Sequence, residues 1–225
     1  MTTHDPESTG VRIIALVSSP NRPAQMGATP VVAHDPIERV DIYDFAHLNL
    51  DGVTGILITG MCDQEFLSRQ QPKLEAFVRA GGRVLINGHV TKPFLPGLPK
   101  WRKLMFSRPE DLVIEPANPH PIWQGIDLAD VLYRTGVPGA HTRAELEQIG
   151  VAGFYGRGYA VRLPADATVI NTIGPLRAPI DYAFPLGDGE VAVHQGLDLE
   201  AFPDAPGTTL GSFAPNVRAW LGSTR

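Results

Sequence analysis

Residues Gly55 to Val90, GILITGMCDQEFLSRQQPKLEAFVRAGGRVLINGHV, set out a strand, a helix, a paired glycine, a second strand and a polar turn in one stretch. Gly55 to Thr59 and Arg83 to Asn87 are short apolar runs, the pattern of strands covered on both faces. Between them one crossover helix must fit. Proline costs about 3 kcal/mol inside a helix but is tolerated at its first position, so Pro72 predicts a helix over Pro72 to Ala80. Leu74, Phe77 and Val78 share one face of that helix, while Lys73, Glu75 and Arg79 can remain in water. Gly81 and Gly82 end it, because one of them can take a left-handed conformation without a Cβ penalty. A right-handed parallel β-α-β unit is the expected product.

The remaining chain extends this pattern. Arg12 to Ser18 reads as a first strand, followed by the Pro-, Gly- and Asn-rich loop SSPNRPAQMGATP, and Val40 to Tyr43 as a second strand. TKPFLPGLPKWRKL holds three prolines and one glycine and reads as a loop with a turn of helix. Leu112 to Glu115 returns to a strand before the turn PANPHPIWQGID. The second half reads as strands and loops: VLYRTGV, GYAVRL, ATVINTI and EVAVHQG, with a short helix at Arg143 to Ile149 and a tight turn at Gly187 to Gly189. Phe213, Val217, Trp220 and Leu221 fall on one face of a closing helix with Pro215 in its first turn.

The chain of 225 residues is 43% hydrophobic and 19% charged, enough apolar content for a folded core despite 21 prolines and 23 glycines. We expect one α/β domain over 1–225, with a polar tail at 1–10, built on an open, mostly parallel sheet with helices on both faces and a strand-rich C-terminal half. The opening MTTHDPESTG has neither a basic flank nor an apolar core, so a cytoplasmic, non-membrane protein is expected. A net charge of -5 without a basic run argues against a nucleic-acid partner. The single cysteine, Cys62, excludes an intrachain disulfide and a C-x-x-C zinc module. The seven histidines show neither H-x-x-x-H nor H-E-x-x-H spacing, so neither a metal nor a cofactor is expected.

Three motifs, ILITGMCDQEFL, KLEAFVRAGGRVLINGH and NPHPIWQGID, resemble the class I glutamine amidotransferase-like (flavodoxin-like) fold and, within it, the trehalose-utilisation (ThuA-like) branch. GDGEVAVHQGLDL is similar to that branch's late strand, which ends in Gly-His-Asp. The similarity runs through residues 11 to 200 in order. It implies a strand-to-helix elbow after Arg83 to Asn87, where true amidotransferases carry the nucleophilic cysteine. This chain has Gly88 and His89 there, so the resemblance implies a diverged domain without glutaminase chemistry. Either residue can occupy the elbow. The late Gly-His-Asp becomes Gly196, Leu197 and Asp198, with His194 two residues earlier.

Independently of any resemblance, polar residues at the carboxyl ends of adjacent parallel strands converge on one crevice, which is where such sheets bind ligands. Ser18, Cys62, Asp63 and His89 lie just beyond such ends. Cys62 lacks a sequence-local cation to lower its pKa, and a packed thiol is its ordinary role. Asp63 precedes QEFLS and suits a cap. His120, between Pro119 and Pro121, is held extended in a turn. His194 stands on an apolar strand, where a satisfied core histidine is the default and a ligand contact or general base the alternative. GVAGFYGRGYAV misses the spacing of a dinucleotide loop. Its Tyr155, Arg157 and Tyr159 suit a pocket wall or a subunit contact.

Three functional readings follow. The first is a noncatalytic or diverged domain binding a small polar metabolite, with sugars among the candidates, through Cys62, Asp63, His89, Tyr155, Arg157 and His194. The second is a hydrolase or isomerase using His89 or His194 as general base. The third is an assembly subunit that forms a homo-oligomer through the Gly- and Tyr-rich loop.

Overall fold

The computed structural model of the chain describes residues 11–18, 37–131, 158–202, 204 and 206–223. The strands are β1 (Arg12–Val17), β2 (Ile37–Asp41), β3 (Val53–Ile58), β4 (Arg83–Asn87), β5 (Lys100–Lys103), β6 (Ile114–Pro116), β7 (Gly158–Val161), β8 (Thr168–Ile173), β9 (Ala178–Leu186) and β10 (Gly189–His194). The α-helices are α1 (Gln64–Arg69), α2 (Gln71–Arg79) and α3 (Phe213–Gly222).

Eight strands form one sheet in the order β2-β1-β3-β4-β10-β9-β8-β6, and β5 pairs with β7 in a separate ribbon. β2, β1, β3, β4 and β10 run parallel. From β10 onward the pairings to β9, β8 and β6 are antiparallel. The chain moves from β1 outward to β2, then back across β1 to β3, so the parallel half reverses direction between β1 and β3. An open α/β sheet places its ligand crevice beyond the strand ends at such a reversal.

Apolar residues at alternate strand positions feed two cores, one on each face. On one face Ile14, Leu16, Ile56, Ile58, Val84, Ile86, Val191 and Val193 pack beneath Leu67 of α1 and Leu74 and Val78 of α2. On the other, Ala15, Val17, Leu57, Leu85, Ala183 and Ala192 lie beneath Trp123, Leu199 and the α3 residues Phe213, Val217, Trp220 and Leu221. Small alanines leave room there for large aromatic rings. Each fully buried Leu, Ile or Val contributes about 1.5–3 kcal/mol, and Ile56, Val84, Leu85 and Val191 are all 0% exposed.

Helices therefore cover both faces, as the sequence predicts. α2 begins one residue earlier than expected, with Pro72 in its first turn, and ends where Gly81 takes φ +103°. The QEFLS turn is helical as α1, since Asp63 caps it. The second strand lies earlier than Val40 to Tyr43, because Ile42–Ala46 winds into a 3-10 turn whose Ile42 and Phe45 are buried. The strand expected at Leu112 to Glu115 begins at Ile114, with a 3-10 turn over Pro109–Leu112 before it. The loop assigned to TKPFLPGLPKWRKL ends in strand β5, which finds its partner only at β7.

β9 is the largest element the sequence conceals, since Pro179 and Pro185 interrupt its pattern. The structure accommodates both. Pro179 lies where the β8 register shifts, and Pro185 lies beyond the last β8 pairing, opposite Glu190 of β10. The β9–β10 hairpin closes at Gly187 and Asp188 as expected. The helix expected at Arg143 to Ile149 and nearly all of VLYRTGV lie outside the described residues. Among the described residues no helix is long and apolar enough to cross a membrane.

Candidate functional site

The site is assembled where β1, β3, β4 and β10 end. Gly88 follows β4 with φ +83°, and a Cβ there would lie 2.7 Å from both Cα and the carbonyl oxygen of Gly60. Gly88 thus holds the left-handed position at the end of β4. A side chain has no room there, so a nucleophile cannot be mounted at position 88. The neighbouring Gly60, beyond β3, donates its backbone N–H to Asp198 Oδ1 at 2.7 Å. This bond draws the segment after β10 across the sheet edge onto the end of β3.

The site residues read from the sequence serve several purposes. Cys62 Sγ donates to the Leu16 carbonyl oxygen at 3.0 Å and lies 3.4 Å from Thr59 Oγ1, tying the ends of β1 and β3 together. Burial pushes its thiol up to about 11, against the opposing hydrogen bonds from Thr59. Cys62 is a structural thiol at neutral pH. Ser18 Oγ donates to the Met61 carbonyl oxygen at 2.9 Å. Asp63 caps α1, accepting from Phe66 N–H at 2.9 Å and from the Tyr43 hydroxyl at 3.1 Å. The Phe66 N–H is the main cause holding its carboxyl below the usual range.

His89 is half-buried, its ring 4.9 Å from that of Trp101 on β5, and its carbonyl oxygen accepts from Gln64 Nε2 at 2.5 Å. His194 is 1% exposed and its ring lies 6.1 Å from that of Trp123. The two histidines are thus held by different parts of the fold. Tyr155 and Arg157 lie outside the described residues.

The strand register adds residues that sequence reading missed. Asn87 stands opposite His194, His194 opposite Asp181, and Asp181 opposite Asn171. With Thr59, just past β3, they form a polar row beneath the aromatic layer, each at most 9% exposed. Asp181 joins the row: its Oδ1 lies 2.6 Å from His194 Nδ1, and its Oδ2 accepts from Asn171 Nδ2 at 2.7 Å. Burying Asn171, Asp181 and His194 is tolerated because these three satisfy one another.

At its β4 end the row opens into a pair of carboxyls. Asn87 Nδ2 donates to Glu200 Oε2 at 3.1 Å, while Asn87 Oδ1 is buried without a partner. Burial and the nearby Asp198 charge push the Glu200 carboxyl up to about 8. Burial also raises Asp198, although the Gly60 N–H works in the opposite direction. Near neutral pH the pair therefore retains a proton. Such a pair can accept hydrogen bonds, donate one, and exchange a proton with a bound group. Among the described residues no group of three or more His, Cys, Asp or Glu is placed to hold a metal ion.

The isolated polar letters in RVLIN, TVINTI, APIDYAF and EVAVH were the available signal for this row. Their pairing depends on strand order, which local sequence does not carry.

No family model and no curated protein matches the chain. Among solved structures it is similar to Cytoplasmic Protein STM3548 from Salmonella typhimurium, at TM-score 0.49 and 15% identity over 82% of this chain and 80% of that one. It is also similar to Cytoplasmic Protein STM1381 from Salmonella typhimurium LT2, at TM-score 0.48 and 12% identity over 83% and 82%. A beta-galactosidase from Rahnella sp. R3 is similar at TM-score 0.41 and 14% identity, over 82% of this chain but 24% of the enzyme. At these scores the likenesses carry no argument about function.

Proposed function

We propose that the chain is a diverged amidotransferase-like domain, without glutaminase activity, that binds a small polar metabolite in the crevice bounded by Gly60, Gly88, Asn87, Asp198 and Glu200. A cytoplasmic location belongs to the same reading. The observation that carries it is the convergence of two raised carboxyls and the unpartnered Asn87 carbonyl oxygen at the carboxyl edge of the parallel strands. A carboxyl pair facing backbone glycines selects a ligand rich in hydroxyl or ammonium donors. The absence of a side chain at Gly88 and the raised thiol of Cys62 oppose covalent catalysis through this edge.

One observation favours a catalytic second reading, with the general base moved from histidine to carboxyl. A Glu200 carboxyl pushed up to about 8, beside an Asp198 carboxyl that burial also raises, provides a proton donor near neutral pH. His194, sealed against Asp181, serves that reading less well.

The test is a thermal-shift screen of wild type and Glu200→Gln against sugars, polyols, amino acids and polyamines. A ligand at a hundred times its Kd adds about 2.7 kcal/mol to the native state. The proposal expects at least one compound whose shift is lost in the variant. Equal shifts in both proteins for every compound that shifts wild type, or no shift in either, would count against it.

A further inference from the structure

A second feature lies outside this crevice. A cavity of about 710 Å³ is bounded by the Pro116 to Leu128 segment and Asn171. Its volume falls within the few hundred to one thousand Å³ typical of small-molecule sites. Among the described residues its wall contains no Asp, Glu, Lys or Arg. Proline rings at 116, 119 and 121 and the Trp123 indole give it a C–H and aromatic lining, and Asn118, Gln124 and Asn171 add three amide side chains.

Two of the lining rings have N–H groups lacking an acceptor. Trp123 is 8% exposed, and its Nε1 is buried without a partner. His120 Nδ1 accepts from Ile122 N–H at 3.3 Å, which places the proton of the neutral ring on Nε2, also buried without a partner. Burial holds His120 down at about 4, so the ring is neutral at physiological pH. An unmet donor in an interior costs on the order of 1–3 kcal/mol.

The amides define the other half of the ligand. Asn171 Nδ2 is committed to Asp181 and Asn118 Nδ2 to the Val169 carbonyl oxygen at 2.7 Å, so both side chains retain carbonyl oxygens suited to hydroxyl donors. We propose that this cavity binds a neutral carbohydrate ring, whose C–H face packs on Trp123 and the prolines and whose hydroxyls pair with the amide side chains. The site is independent of the carboxyl crevice. The buried Asn171–Asp181–His194 row and the Trp123–His194 ring contact lie between the two.

The test is a titration of nitrogen-15-labelled protein with methyl β-D-glucoside, methyl β-D-galactoside and glucuronate, following the indole N–H resonances of the three tryptophans. Trp123→Phe assigns the relevant peak. The expected result is saturable movement of the Trp123 resonance with a neutral glycoside and at least about tenfold weaker binding of glucuronate. Gln124→Ala, at the surface, should weaken binding by about tenfold, the equivalent of one lost hydrogen bond, and Asn118→Ala provides a second variant. Asp198→Asn should leave this binding unchanged. No saturable movement with either glycoside, equal binding of glucuronate, or loss in Asp198→Asn rather than Gln124→Ala would overturn the proposal.

Discussion

Replacing Asp181 tests whether the polar row is a connected network. Asp181 is 0% exposed and its carboxylate holds both Asn171 Nδ2 and His194 Nδ1. Asp181→Ala removes both contacts, leaves a small cavity, and strands a buried amide beside a buried imidazole. Leaving a buried hydrogen-bonding group unmet costs about 1–3 kcal/mol, and Asp181→Ala leaves two. We take about 4 kcal/mol for the substitution. In a chain of this size each kcal/mol moves Tm by about 2–4 °C, so a fall of roughly 8–16 °C is expected. Asp181→Asn should cost about half as much, because a change of tautomer lets His194 Nδ1 accept from the new amide. Calorimetric melting of wild type and both variants gives the answer. A fall of less than about 3 °C for Asp181→Ala would refute the network, since a deletion so deep can be silent only if water or a rearranged core replaces the carboxylate.

Gly88→Ala should destabilise by about 3 kcal/mol in chemical unfolding, combining left-handed strain with the collision against Gly60. Gly52→Ala, also at positive φ but with nothing within 4 Å, should cost only the strain of about 1–2 kcal/mol. Cys62, its thiol held near 11, should react with a disulfide reagent at pH 8 on the order of a hundredfold more slowly than an ordinary thiol. Glu200 and His120 give opposite pH slopes. The folded state holds the Glu200 proton up to about 8 while the unfolded chain releases it near 4.5, so stability from this group is full below 4.5 and is lost as pH rises to 8. His120, depressed to about 4 from 6.5, contributes stability that is full above 6.5 and lost as pH falls to 4. Between 6.5 and 8 the Glu200 slope acts without His120, and Glu200→Gln should flatten the wild-type decline measured by denaturant melts there.

The parallel half of the fold was legible because its strands are short apolar runs bounded by Pro72, Gly81 and Gly82, signals that act within a few residues. The closing helix was legible for the same reason, with Phe213, Val217, Trp220 and Leu221 all buried as their spacing implied. β9 was not, because two prolines mask a strand that tolerates them only through a register shift and a missing neighbour. The candidate site was sought at the strand ends on the rule that ligands gather there, and Asp63 took the capping role its position suggested. The functional weight was less legible. Asn87, Asp181 and Asn171 are single polar residues in separate strands, and only the register aligns them. Glu200 looks like an ordinary surface acid until the turn after β10 folds it against Asn87. His89, conspicuous in the sequence, packs on Trp101, a residue twelve positions away whose strand was not foreseen.

The most direct test of the central claim is a backbone-amide titration reading Gly60, Gly88 and the Asn87 side-chain amide as a pool of sugars, polyols, amino acids and polyamines is added. The account expects those three resonances to move together and saturate, with Gly52 unmoved and the response abolished in Asp198→Asn. Saturating shifts elsewhere while Gly60 and Gly88 stay still, or no shift from any compound, would contradict the crevice as a ligand site.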